Sequence, residues 1–184
     1  NSPDRNRRFK VYVDSLSKNQ QGYLNVSDLT QDGVRLETVA SETILEVPLN
    51  TPIPPGGSST FSLSFEGHVP DVIRRAGKNS SEGVEFSMAQ WYPKMAEYDV
   101  DGWNADPYIG REFHGVWGNF DVKITLDKEY MVAGSGYLEN ASDIGMGYHK
   151  RKRAKTKKGK ITWHFVAPMV HDFTWAADKD YICL

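Results

Sequence analysis

Cysteine is almost missing from this chain: among 184 residues there is one, Cys183, the next-to-last residue. A lone thiol forms no internal disulfide, and at the chain end it reads as incidental rather than reactive. A large excess of one charge is missing too. The formal net charge is −2, which excludes a chain built as a whole to bind nucleic acid or an acidic membrane. No apolar run reaches the roughly 18 residues of a bilayer-spanning helix, so no membrane span is expected. No signal peptide is recognisable within the sequence, and residue 1 is Asn, so a processed chain or an excised piece of a longer one is expected. Several catalytic signatures are also lacking: no His-Glu-x-x-His, no phosphate-cradling glycine loop, no Gly-x-Ser-x-Gly elbow and no paired cysteines.

What the chain does have is enough apolar material for a core. Hydrophobic residues make up 39% and aromatic residues 12%, which argues against disorder. The dominant pattern is alternation with a period of two. "RFKVYVD" puts Phe9, Val11 and Val13 on one face. "STFSLSFEGHV" does the same with Phe61, Leu63 and Phe65, and "FDVKITLD" with Phe120, Val122, Ile124 and Leu126. "TILEVPL" and "KITWHFVAP" are further strands, with Pro48 pushing the end of its strand to an edge. Turns fall between them at Gln31-Asp32-Gly33, Pro54-Pro55-Gly56-Gly57 and Lys157-Lys158-Gly159-Lys160. No amphipathic stretch of helical length stands out. The pattern predicts an all-β fold, an antiparallel sandwich or saddle, in a single domain spanning residues 1–184. The stretch from Ala76 to Gly83 is the most linker-like, and is short enough to be one loop.

The chemistry-bearing residues are mostly accounted for by structure. None of His68, His114, His149, His164 and His171 has the spacing of a zinc helix. His164 lies inside an alternating strand, and His171-Asp172 follows Pro168 in a turn, where aspartate caps backbone N–H groups. "DVDGWNAD", from Asp99 to Asp106, has carboxylates around a glycine, but without the order or the closing glutamate of a calcium loop it reads as an acidic surface loop. "KRKRAKTKKGK", from Lys150 to Lys160, has eight Lys or Arg among eleven residues. Removing that +8 from the net −2 leaves −10 for the rest. The run carries no aromatic residues for stacking on bases and reads as a solvated hairpin tip, so no nucleic-acid partner is expected. Asn-x-Ser triplets begin at Asn25, Asn79 and Asn140, and matter only in a source that glycosylates its secreted proteins. Exposed tryptophans such as Trp103 and Trp117 would suit a stand-alone β-sandwich binding module for carbohydrate or a partner protein.

Longer stretches carry more information. "FSMAQWYPKMAEYDVDGWNADPYIGREFHGVWGNFDVKITLDKEYMVAGSGYLEN" and "WHFVAPMVHDFTWAADKDY" together resemble the N-terminal β domain of zinc aminopeptidases of the aminopeptidase N family, in the gluzincin clan, and are most similar to Bacteroidetes-like members. "LEVPLNTPIPPGGSSTFSLSFEGHVP" is similar to that family's proline-glycine turn and the strand after it, so the resemblance covers about Thr43 to Tyr181.

The resemblance implies that the chain has no catalytic residue and no cofactor of its own. The zinc, the zinc helix and the exopeptidase motif belong to a thermolysin-like domain expected downstream, which would be this domain's partner and would hold the peptide substrate. The first strands of the family's β domain are expected to precede Asn1. The parent would be a zinc-dependent metallopeptidase, and a periplasmic or extracellular parent in a Gram-negative bacterium is consistent with the resemblance. "WHFVAPMVHDFTWAAD" then reads as framework, with Trp163, Phe165 and Trp175 supplying buried area. One position implies contact with substrate: the family's β-domain glutamine matches Gln90 in "AQWY". Tyr92 stands where the family has an amine-binding glutamate. If Gln90 and Tyr92 lie on one alternating strand, both reach the same cleft.

Overall fold

A computed structural model of the chain describes residues 16–71, 75–80, 82–105, 115–150 and 156–182. The strand expected over Phe9, Val11 and Val13 lies outside them. So do His114, Asp106, Cys183 and positions 151–155 of the basic run.

The described residues form a mostly β structure of short antiparallel strands. In chain order these are β1 (Tyr23–Gln31), β2 (Val34–Arg35), β3 (Val39–Ser41), β4 (Ile44–Glu46), β5 (Phe61–His68), β6 (Ala76–Lys78) and β7 (Phe86–Met88). They continue with β8 (Tyr98–Asp99), β9 (Gly102–Trp103), β10 (Gly118–Asp127), β11 (Met131–Gly134) and β12 (Tyr137–Leu138). One helical turn, α1 (Ala141–Ile144), precedes β13 (Lys160–Val170) and β14 (Trp175–Asp178). No helix among the described residues is long and apolar enough to cross a membrane. The chain divides into two compact units, one of Asn1–Gly22, Val69–Trp91 and Val116–Leu184, the other of Tyr23–His68 and Tyr92–Gly115.

In the first unit two sheets share one core. One has the order β10-β13-β12, the other β11-β14-β7-β6. Alternation on β13 turns Ile161, Trp163, Phe165 and Ala167 inward, and these meet Val132, Phe173 and Ala177 in one buried cluster. Trp163, Phe165 and Phe173 are fully buried. A buried aromatic side chain removes about 150–250 Å² from water, worth about 4–6 kcal/mol at roughly 25 cal/mol per Å². Close packing is visible at Gly136, where a Cβ would lie 2.2 Å from the Val166 carbonyl oxygen. Only glycine fits there, since φ is +77 as well.

Side chains finish what the strands leave open. β12 ends at Leu138, and beyond it the Asn140 amide takes the place of a strand backbone: Nδ2 donates to the Thr162 carbonyl at 2.9 Å and Oδ1 accepts from the His164 N–H at 3.0 Å. Pro168, which cannot donate to the ladder, sits where the β10–β13 register shifts between Gly118 and Phe120. There Asn119 Oδ1 accepts the N–H of Met169 at 2.9 Å.

The second unit is built on the sheet β2-β1-β5, with the pairs β3–β4 and β8–β9. Gln31 pairs with Val34 around Asp32 (φ 50) and Gly33 (φ 84), the left-handed pair that a two-residue Asp-Gly hairpin requires. The Asp32 carboxylate accepts the Thr60 N–H and the Ser59 hydroxyl, and these bonds, the backbone one foremost, hold its pKa below the ordinary value. Gln31 is buried, and its amide exchanges two hydrogen bonds with the backbone of Thr51. The Pro-Gly run turns as expected: the Gly57 N–H donates to the Pro54 carbonyl at 2.9 Å with Gly56 at φ 72. Of "TILEVPL" only Ile44–Glu46 is strand.

Candidate functional site

The stretch with the two histidines is a strand, a turn and a strand. His164 lies between the inward Trp163 and Phe165, and its Nε2 is 2.9 Å from Asp121 Oδ1 on the neighbouring β10. His171 follows the end of β13 and its ring meets Trp117 edge-on at 5.3 Å. Asp172 accepts the Phe173 N–H at 3.0 Å, the turn-capping role expected of it. Trp163 and Phe165 are core residues, whereas Trp175 is half-buried against Trp91, edge to face at 6.1 Å. Within residues 163–178 the two histidines have different neighbours, His164 a carboxylate and His171 an indole ring.

Among the described residues, no three His, Cys, Asp or Glu side chains converge in a way that could hold a metal ion. In the acidic loop the Asp99 carboxylate is engaged inside its own hairpin, accepting the Asp101 N–H at 2.8 Å and the Asn104 amide at 3.0 Å.

Gln90 and Tyr92 are not on a strand. β7 ends at Met88, and Gln90 follows at φ 55, in the left-handed region that turns the backbone out of extended geometry. The same-face expectation for the two residues needs a continuous strand, so it does not hold. Both are half-buried, and the division between the two compact units falls directly after Trp91. Lys94 Nζ lies 5.6 Å from the centre of the Tyr92 ring. The stretch from Ala76 to Gly83 is not a linker either: it contains β6 and the turn into β7.

A polar cluster with no sequence signature lies at the end of β14 in the first unit. Asp178 is 6% exposed, and its carboxylate accepts the N–H groups of Glu85 and Asp180, both at 2.8 Å. These bonds, that of Asp180 first, hold its pKa below the ordinary value. The Tyr130 hydroxyl donates to Glu85, and this bond, with burial next, pushes the phenol up to about 12. Lys179 closes the cluster, 5.0 Å from the Tyr130 ring centre and 3.9 Å from Glu85 Oε1. An open groove of about 450 Å³ runs past it, lined also by Asn79, Ser80 and Gly83. Backbone N–H groups satisfy Asp178, while Tyr130 and Lys179 both meet Glu85, so the cluster ties Glu85 to the end of β14. The available hint was Asp178 itself, a carboxylate closing the apolar strand "FTWAAD".

Comparison with protein-family models, with curated proteins and with solved structures returned no match.

Proposed function

We propose that the chain is the non-catalytic N-terminal β domain, of the antiparallel sandwich or saddle type, of a zinc aminopeptidase of the aminopeptidase N family. In this reading it packs beside the catalytic domain, which holds the zinc, and helps shape the cleft that takes the peptide substrate. The reading rests on the sequence resemblance. The observation that carries it is that the stretches most characteristic of that resemblance fold as partner strands around one core: β10 pairs with β13, and β11 with β14.

Within this reading Gln90 meets the peptide. An uncharged amide offers two donors and an acceptor to a substrate backbone or amine. Tyr92 offers only a phenol where a carboxylate would bond the substrate ammonium about twice as strongly, so amine selectivity rests on the catalytic domain. Two measurements test the reading. The coding sequence downstream should contain His-Glu-x-x-His within about two hundred residues, near the usual size of one more domain. In the enzyme so defined, Gln90→Ala should lower kcat/KM on aminoacyl anilides by roughly tenfold, the loss of one hydrogen bond of slightly more than 1 kcal/mol. A downstream frame with no zinc motif would reject the family. Unchanged kinetics in a folded variant would remove Gln90 from the cleft.

A second reading has its own observation. Trp103 and Trp117 are 59% and 63% exposed, which suits a β module that stacks on sugars or anchors a partner. Glycan binding by the chain alone, lost on Trp117→Ala, would favour it.

A further inference from the structure

The β8–β9 hairpin of the second unit holds apolar side chains in water with no return in burial. Its turn is Val100–Asp101, closed by Gly102 at φ 103, a conformation that L side chains rarely adopt. The Asp99 carboxylate and the bond from the Asn104 N–H to the Glu97 carbonyl, at 2.8 Å, lock the hairpin internally. At its tip Val100 is 100% exposed, and the cross-strand partners Tyr98 and Trp103 are 67% and 59% exposed. The two rings stand 5.0 Å apart at 71°, two walls of a corner.

In this edge-to-face contact the outward ring surface left in water still offers a negative quadrupole to a group that seats against it. The charge around the rings has the same sign. From Glu97 to Asn104 the chain carries Glu97, Asp99 and Asp101 and no Lys or Arg. Asp99 is engaged within the hairpin, while Asp101 is exposed at the turn. An exposed aromatic pair with the Asp101 carboxylate at the same tip complements a cation better than phosphate, nucleic acid or anionic lipid. A neutral sugar would use the rings but not the carboxylates. A few residues upstream, Lys94 beside the Tyr92 ring makes the same kind of contact within the chain.

We propose that the β8–β9 tip is a docking site for a cationic polypeptide segment of a partner protein. An Arg or Lys of the partner seats against Tyr98 and Trp103, Asp101 balances its charge, and Val100 covers the adjoining stem. The proposal goes beyond the aminopeptidase reading and does not depend on it.

The test is fluorescence anisotropy with the whole 184-residue chain and a labelled alternating Arg-Gly peptide of about ten residues, against the matching Glu-Gly peptide. The Arg-Gly peptide should bind at least roughly tenfold more tightly, and more weakly as salt rises from about 0.05 to 0.3 M. Trp103→Ala should weaken binding roughly fivefold, the size of one exposed cation–π contact. Asp101→Lys, a change at an exposed turn that leaves the internal bonds of the hairpin in place, should weaken it by a similar factor. Tyr137→Ala, an exposed aromatic outside the hairpin, should leave it unchanged, and far-UV circular dichroism checks that each variant is folded. Equal affinity for the two peptides would overturn the proposal, as would indifference to both hairpin substitutions. Binding of a neutral oligosaccharide that Trp103→Ala abolishes, with no binding of the Arg-Gly peptide, would overturn it in favour of a glycan.

Discussion

Asp178 offers the sharpest test of how the first unit is held together. Its carboxylate accepts two backbone N–H groups at 2.8 Å in a site that is nearly closed to water. A hydrogen bond to a charged group contributes about 1.5–3 kcal/mol, and a buried N–H left without a partner costs about 1–3. Asp178→Ala removes the acceptor from both donors, so it should destabilise the chain by about 3–5 kcal/mol. Asp178→Asn keeps one carbonyl oxygen and loses the charge, so about half that loss is expected. Urea unfolding followed by tryptophan fluorescence reads both, since Trp175 begins the strand that Asp178 ends. The pH dependence gives an independent check. Because the folded pKa is depressed, the contribution is fully present above the unfolded value near about 4 and is lost as pH falls through the folded value. The gap between wild type and Asp178→Asn should therefore narrow below about pH 4. An alanine variant within about 1 kcal/mol of wild type, or a gap that stays constant down to low pH, would refute the reasoning.

Tyr130 should act at the opposite end of the pH scale: its pKa is raised to about 12, so its contribution is full below pH 10 and is lost as pH rises through about 12. Tyr130→Phe should cost about 1–3 kcal/mol at neutral pH and remove that alkaline loss, as alkaline unfolding curves would show. Trp163 is fully buried with its indole N–H unpaired. Trp163→Phe should thus cost only about 1–2 kcal/mol, and Trp163→Ala about 3–5 through the cavity it leaves; equal losses on denaturant titration would count against this. Gly136→Ala drives a methyl to 2.2 Å from backbone and should cost about 3 kcal/mol, whereas Gly33→Ala, at φ +84 in open space, should cost about 1–2, both read from the same denaturant curves.

Much of the strand framework was legible because its signals are local. Period-two alternation marked β5, β10 and β13, and the inward set Ile161, Trp163, Phe165 and Ala167 follows from that period alone. Asp32-Gly33 and Lys158-Gly159 marked hairpin turns because both residues of such a turn need positive φ. Short strands escaped for the same reason: β6, β7 and β14 have three or four residues, and β2, β8, β9 and β12 two, too few to establish a period. The expectation that Gln90 and Tyr92 share one face of a strand failed because the backbone turns to φ 55 just beyond Met88.

By itself, then, the chain determined its mostly β class, the strands β5, β10 and β13, and the turns at Asp32-Gly33 and Lys158-Gly159, while the nine-residue β1 escaped it. Which strands pair, and what those pairings bring together, was decided only by the tertiary structure. Asp178 meets the N–H of Glu85 across 93 positions of sequence, and Tyr130 reaches Glu85 across 45. No local pattern encodes such contacts, because they exist only once β14 lies between β11 and β7 and brings a carboxylate to distant backbone donors. The exposed corner of Tyr98 and Trp103 is of the same kind: the sequence shows two aromatics five residues apart, and only the closing of the β8–β9 hairpin sets their rings face to edge in water.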